Sequence, residues 1–185
     1  MLFRSVGAAK NINNFIMITL GTGVGGSYYS VKSGLIKGEH WRAAEFGHMI
    51  LYPNGRECGC GQMGCVEQYI SGTAMERIYR EKHGEELEGT DIFKKAFNSD
   101  EKSKIVVEEF IKDTSIFLTT LTNALDPEAI IIGGGLINSK DYWLEDLKLD
   151  FQNRLNSNVY PKIIPAKLLN DAGMIGAGKI AFDNI

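Results

Sequence analysis

Residues 44–67 constrain the fold of this chain most, because they contain all three of its cysteines. Cys58, Cys60 and Cys65 follow His48 in the pattern H-x9-C-x-C-x4-C. Three thiolates and one imidazole are a common tetrahedral set of ligands for zinc. The glycines between the cysteines accept backbone angles that other residues avoid, so a short loop can turn several sulfurs towards one point. The pattern favours a zinc loop.

Other interpretations of the cysteines stay open on the residues alone. Cys58 and Cys60 are too close in sequence for an easy disulfide, and the number of cysteines is odd. A Cys/His nucleophile pair is not accompanied by anything that resembles a nucleophile elbow. Three unrelated buried thiols would not be expected to cluster in this way. The spacing also differs from the familiar C-x2-C zinc knuckle.

Two carboxylates flank the cysteine cluster. Glu45 lies three residues before His48, and Glu67 lies two residues after Cys65. Most glutamates are solvated surface charges, and these two are not needed to complete a metal shell. In the functional interpretation, the loop holds both carboxylates in place and they accept hydrogen bonds from a polar ligand.

Composition excludes several classes of protein. Of the 185 residues, 44% are hydrophobic and 23% are charged, which is typical of a soluble globular protein. The net charge of −3 argues against a nucleic-acid-binding surface. The sequence shows no apolar run long enough to span a bilayer and no secretory signal. Clustered, reduced cysteines fit the cytoplasm, so we expect a cytoplasmic protein that binds neither membranes nor nucleic acid through this domain.

A glycine-rich turn follows the first apolar run of the chain. The run FIMITL, residues 15–20, predicts a buried strand, GTGVGG follows at residues 21–26, and residues 27–31 predict a second strand. The amides of such a hairpin can bind an anion, and Thr22 can add a hydroxyl. Many glycine hairpins bind nothing, and this one matches neither the P-loop nor the Rossmann pattern.

A second glycine cluster, Gly133, Gly134 and Gly135, follows the apolar strand predicted over residues 128–132. In open α/β sheets, ligands bind beyond the carboxyl ends of the strands, where bare glycine backbone permits close approach. An ordinary strand-to-helix turn is the alternative.

The remaining segments predict an α/β domain. His40 and His83 are expected to be solvated. The predicted elements are a strand over residues 43–52, a helix over 66–83 capped at Ser71 or Thr73 and ended by Gly84, a short helix capped by Thr90, a long apolar-striped helix over about 100–125 ended before Pro127, a helix over 141–155, a strand over 162–169, and a closing helix over 173–182.

These motifs together resemble the ROK family of bacterial sugar kinases and sugar-responsive repressors. GTGVGG resembles the family's phosphate-binding turn, and AEFGH resembles its A-G-E-x-G-H segment with Ala44 in place of the usual glycine. CGCGQMGCVE matches its C-x-C-G-x-x-G-C-x-E signature, and IIIGGG resembles its adenosine-side motif. The resemblance covers nearly the whole chain in the family's order.

The resemblance implies the actin/hexokinase ATPase fold, in which two ribonuclease H-like α/β domains surround a cleft. Residues 1–185 would form the carboxyl-terminal domain, a mixed sheet flanked by helices with a zinc loop. The resemblance implies a structural zinc ion held by His48, Cys58, Cys60 and Cys65. It implies that sugar hydroxyls are bound by Glu45, His48 and Glu67. It also implies that the ATP phosphates contact Gly21, Thr22 and Gly23, and that the adenosine lies near Gly133, Gly134 and Gly135.

The sequence also departs from the family. It lacks the family's Asp-x-Gly-Gly-Thr hairpin and its Asn-Asp pair, so no residue here is assigned as the catalytic base. Phosphoryl transfer needs an oriented nucleophile and metal-assisted charge neutralisation. We therefore expect the chain alone to be inactive, and its full-length parent to phosphorylate glucose or an N-acetylmannosamine-type hexose with ATP and magnesium.

Two further expectations come from the resemblance. The alternative function is the sugar-sensing effector domain of a ROK transcriptional repressor. Family members are commonly dimers or tetramers, so a homo-oligomer is expected. The apolar face of the long helix could serve as a contact surface, but burial inside the domain explains it equally well.

Overall fold

A mixed sheet organises the computed structural model, which describes residues 7–157 and 159–167. It contains β1 (Asn14–Leu20), β2 (Val24–Ser30), β3 (Gly34–Leu35), β4 (Ala129–Gly133) and β5 (Lys162–Pro165). The order is β3-β2-β1-β4-β5. Strand β2 runs antiparallel to both β1 and β3, whereas β4 runs parallel to both β1 and β5. Parallel β1 and β4 therefore end at the same edge of the sheet, with Thr19 paired to Gly133.

Five described helices pack against one face of this sheet. Alternate residues of β1 and β4, including Ile16, Ile18 and Ile130, point into the main core because successive side chains of a strand face opposite sides. Two 3-10 segments, Phe46–His48 and Gly135–Tyr142, join the regular elements. The helices are α1 (Glu67–Ile70), α2 (Gly72–His83), α3 (Gly89–Phe97), α4 (Glu101–Leu125) and α5 (Leu144–Arg154).

The helix expected over about 100–125 is confirmed as α4, and the one expected over 66–83 is two helices, α1 and α2, separated at Ser71. Ser71 caps α2 by accepting a 3.1 Å hydrogen bond from the amide of Ala74, and Gly84 ends it in the left-handed conformation. Asp100 caps α4 in the same way, through the amide of Ser103. The apolar stripe of α4 lies in the core of the domain, so it is not a free surface for subunit contact.

The strand expected over residues 43–52 is wrong. Ala44 adopts a positive φ of 64°, and residues 46–48 form a 3-10 turn. Gly47 lies so close to the backbone of β2 that an added Cβ would be 2.1 Å from the carbonyl oxygen of Val24. The segment keeps only one isolated bridge, between Ile50 and Cys65.

Several predicted boundaries also need correction. Thr90 is not a cap, because α3 begins at Gly89, whose amide donates to Oε1 of Glu76 on α2. Strand β2 begins at Val24, three residues earlier than expected. The helix predicted from residue 141 begins at Leu144.

Some expectations fall at or beyond the limits of the described chain. Strand β5 ends at Pro165, and residues 168–169, with the closing helix predicted over 173–182, lie outside the described residues. His83 is half buried and meets the ring of Tyr79 edge-on at 4.9 Å, whereas His40 is exposed as expected. Within the described ranges, no helix is both long and apolar enough to cross a bilayer.

Candidate functional site

The four predicted metal ligands converge on one point. One donor atom each from His48, Cys58, Cys60 and Cys65 lies within 4.8 Å of every other. Nδ1 of His48 is 3.8 Å from Sγ of Cys58, and Sγ of Cys60 is 3.6 Å from Sγ of Cys65. Cys58 and Cys65 are buried, and Cys60 is exposed. This donor set fits a tetrahedral divalent metal ion of the zinc type.

Backbone hydrogen bonds and two left-handed glycines shape the loop that presents the cysteines. Gly61 has a φ of 88° and Gly64 a φ of 79°. The amides of Leu51 and Tyr52 both donate to the carbonyl oxygen of Gly64. The amide of Cys58 donates to the carbonyl of Gln62, which closes a turn over residues 58–62 that contains Cys60 and precedes Cys65. Local turn chemistry therefore brings the sulfurs together.

The thiols of the loop differ in acidity. Hydrogen bonds from the side chain and backbone of Gln62 lower the pKa of Cys60 to about 6. Burial raises the pKa of Cys65 to about 12, and hydrogen bonds with the other two thiols act in the same direction. A buried thiol of this kind binds a metal only by losing its proton, so metal binding here would release protons.

Glu67 connects the cysteine loop to the glycine hairpin. The amide of Val24 donates a 2.9 Å hydrogen bond to Oε2 of Glu67. A Cβ on Gly23 would lie 2.3 Å from the same oxygen, so a larger residue at that position would displace the Glu67 carboxylate. Glu67 is half buried and is the first residue of α1, two positions after Cys65.

The two predicted ATP-side glycine motifs lie next to each other. A Cβ on Gly134 would lie 2.3 Å from the carbonyl oxygen of Leu20, the last residue of β1. A Cβ on Gly21 would lie 3.8 Å from the amide nitrogen of Gly135. The amide of Gly72, at the start of α2, donates to the carbonyl of Gly21. Both motifs are thus found at the carboxyl edge of the parallel strands, where α/β sheets bind ligands.

The other predicted ligand-binding residues are more exposed. Thr22 is exposed at the tip of the hairpin. Glu45 is exposed and precedes the 3-10 turn, where its carbonyl accepts a hydrogen bond from the amide of His48. The binding roles predicted for these two side chains stay predictions.

Several residues that support the cysteine loop were missed by sequence analysis. Gln62 and Gln68 place side-chain amides against the thiols, and Arg77 contacts Gln68. The hydroxyl of Tyr52 donates to Asp113 of α4, and burial raises the pKa of that carboxyl. Tyr52 and Asp113 are 61 positions apart, so spacing gives no signal for their contact. Gln62 and Gln68 lie close to the cysteines in sequence, but an amide side chain gives no sign of its hydrogen-bond partner until the loop is folded.

Comparison with known proteins identifies the class to which this fold and site belong. The family model described as the ROK family matches residues 3–184, and the chain belongs to that family.

Two curated relatives are sugar kinases. The chain is 34% identical to a glucokinase of Halalkalibacterium halodurans, with 93% of the chain aligned to 57% of that protein. It is also 34% identical to an N-acetylmannosamine kinase of Haemophilus influenzae, with 91% of the chain aligned to 55% of that protein. The chain therefore spans little more than half the length of these relatives.

A solved structure gives the same result for the fold. A ROK family glucokinase from Streptomyces griseus, in complex with glucose and AMPPNP, superposes with a TM-score of 0.86 at 30% identity. The match covers 97% of this chain and 64% of that chain. The mixed sheet with helices that the resemblance implies is confirmed.

Proposed function

We propose that residues 1–185 form the carboxyl-terminal domain of an ATP-dependent kinase that phosphorylates a hexose or an N-acylamino-hexose. The observation that carries the proposal is the contact of Glu67 with the amide of Val24. This contact joins the predicted sugar-binding carboxylate to the predicted phosphate turn in one site. The similarity to glucokinases and N-acetylmannosamine kinases supports the same class of substrate.

In this proposal, zinc has a structural role. His48, Cys58, Cys60 and Cys65 would hold the ion, which would fix the loop on which Glu67 depends. Nδ1 of His48 faces the thiols, so Nε2 would remain for a sugar hydroxyl, with its tautomer set by the metal. Glu45 and Glu67 would accept hydrogen bonds from further hydroxyls.

ATP would occupy the carboxyl edge of β1 and β4. Gly21, Thr22 and Gly23 would contact its phosphates, and residues 133–135 would lie against the adenosine. The base that activates the sugar hydroxyl and the groups that hold magnesium are assigned to the amino-terminal domain of the full-length protein. We also propose that the protein is a homo-oligomer.

The alternative proposal, a sugar-sensing effector domain of a repressor, explains the Glu67 carboxylate and the cysteine loop. It gives no reason for two glycine motifs to meet at one edge of the sheet, because a sensor without turnover does not need a phosphate site. The geometry therefore favours the kinase.

The proposal is tested by phosphoryl-transfer assays with glucose, N-acetylmannosamine and N-acetylglucosamine. We expect the longest protein that the gene encodes to transfer phosphate from ATP to at least one of these sugars, and the present chain alone to show no turnover. If the longest protein binds a sugar without turnover and represses transcription, the repressor alternative is correct.

Replacing Glu67 with Gln should raise the KM for the sugar about 10- to 100-fold in the active protein. Hydrogen bonds to a charged group contribute about 1.5–3 kcal/mol, and Gln removes that charge. The glutamine oxygen can still accept from the amide of Val24, so we expect the KM for ATP to change little.

A matched control is Glu108→Gln, which changes an exposed glutamate of α4 away from the site. An unchanged sugar KM in Glu67→Gln, with the fold intact, would remove Glu67 from the sugar site.

A further inference from the structure

Charge balance at the cysteine loop calls for hydrogen-bond donors. Three thiolates and a neutral imidazole around a divalent cation leave one surplus negative charge. Part of that charge lies on the sulfur of Cys58, which is buried and has little access to water. A buried anion is stable only where the surrounding groups donate hydrogen bonds to it. This argument rests on the metal site proposed above.

Gln68 supplies such a donor to Cys58. Its Nε2 lies 3.6 Å from Sγ of Cys58, which is within the range of an N–H···S hydrogen bond. Gln68 is half buried and follows Glu67 in α1, so its backbone is held by a helix rather than by the loop.

Arg77 fixes the direction in which the amide of Gln68 points. One guanidinium nitrogen of Arg77 donates to Oε1 of Gln68 at 2.8 Å, and another donates to its backbone carbonyl at 2.6 Å. A guanidinium can only donate, so Oε1 must face Arg77 and Nε2 must face the sulfur. Nε of Arg77 in turn lies 3.8 Å from Glu81, which also binds Arg56 of the loop.

Gln62 makes a similar set of contacts on the exposed side of the loop. Its Nε2 lies 3.4 Å from Sγ of Cys60, 3.9 Å from Sγ of Cys65, and 3.3 Å from the carbonyl of His48. Gln62 is exposed, so water can replace its amide. Gln68 contacts the sulfur of Cys58, which is buried, so the loss of its amide should have the larger effect.

We propose that Gln68, oriented by Arg77, is a positioning residue of the metal centre, and that its hydrogen bond to Cys58 strengthens metal binding. Residues that contact metal ligands in this way typically contribute 10- to 100-fold to metal affinity. The spacing of the cysteines does not reveal this role, because the contact of Gln68 with Cys58 and the orientation by Arg77 arise only in the folded loop.

The test is the zinc affinity of the present chain, measured by competition with a chromophoric chelator. Gln68→Glu keeps the shape of the side chain and its contact with Arg77, but it replaces the donor with a carboxylate. Gln68→Met removes the donor without adding a charge. We expect both variants to bind zinc at least about tenfold more weakly. Gln152→Glu, a change of the same type on the exposed face of α5, should bind zinc as the unmodified chain does.

Cobalt substitution separates this role from a change of ligand set. The thiolate-to-cobalt charge-transfer band should keep the intensity expected for three thiolates in both Gln68 variants, while the affinity falls. Affinities within twofold of the unmodified chain in both variants, or a loss in Gln68→Glu alone, would overturn the donor role. If the unmodified chain binds no zinc or cobalt, the metal site itself is wrong and this inference is wrong with it.

Discussion

Removing zinc from the metal-loaded chain is expected to lower its thermal unfolding midpoint by roughly 8–16 °C. A ligand that binds only the folded state, present at about a thousand times its dissociation constant, stabilises that state by about 4 kcal/mol. For a chain of this size, each kcal/mol shifts the midpoint by about 2–4 °C.

The structure explains why the loop would depend on the ion. Residues between Tyr52 and Val66 form no strand or helix, and their backbone is held mainly by turn hydrogen bonds and two isolated bridges, Ile50 with Cys65 and Glu57 with Met63. Without a cation, the buried thiol of Cys65 is protonated and contributes only apolar contact and weak hydrogen bonds. The loop then loses the one interaction that would join all four ligands.

Differential scanning fluorimetry in the presence and absence of a chelator measures the effect. Cys65→Ser should lower the midpoint in zinc, and chelation should then have little further effect because the ligand set is already incomplete. A chain that is metal-free as purified, and whose midpoint does not respond to added zinc, would contradict the assignment.

Much of the site could be predicted because its chemistry is local in sequence. The spacing of Cys58, Cys60 and Cys65 with His48 was sufficient to predict a metal cluster, and the structure brings these four side chains together. The glycine motifs could be placed at one edge because strands that run parallel end together. Capping by Ser71, one of the two candidates for that helix, was also predictable, since a cap needs only the residues that follow it.

The errors arise where tertiary contacts override local preference. Residues 43–52 contain strand-forming side chains, but Gly47 packs against the backbone of Val24 and forces a turn. Helix α3 begins one residue before Thr90 because Glu76, thirteen positions away, accepts from the amide of Gly89. The hydrogen bond between Gln68 and Cys58 depends on Arg77, which lies on the next helix. No pattern within a short window contains that information.

Replacing Gly64 with Ala should destabilise the folded chain by about 2–5 kcal/mol and prevent zinc binding. Gly64 has a φ of 79°, and an added Cβ would lie 1.7 Å from the carbonyl oxygen of Tyr52. Left-handed backbone costs a non-glycine residue about 1–2 kcal/mol, and forcing extra volume into a packed site costs about 1–3 kcal/mol more. The clashing atom belongs to the backbone, and it accepts a hydrogen bond from the amide of Gly55, so it cannot turn away as a side chain would.

Gly61→Ala is the matched control within the same loop. Gly61 has a φ of 88°, but an added Cβ there meets nothing within 4 Å. Only the backbone strain should remain, so we expect a loss of about 1–2 kcal/mol with zinc still bound. Urea unfolding and metal content of the two variants separate strain from steric overlap. Equal losses in both would mean that Gly64 is required for its backbone angle alone, whereas a larger loss at Gly64 together with loss of zinc shows that its contact with Tyr52 holds the third cysteine in place.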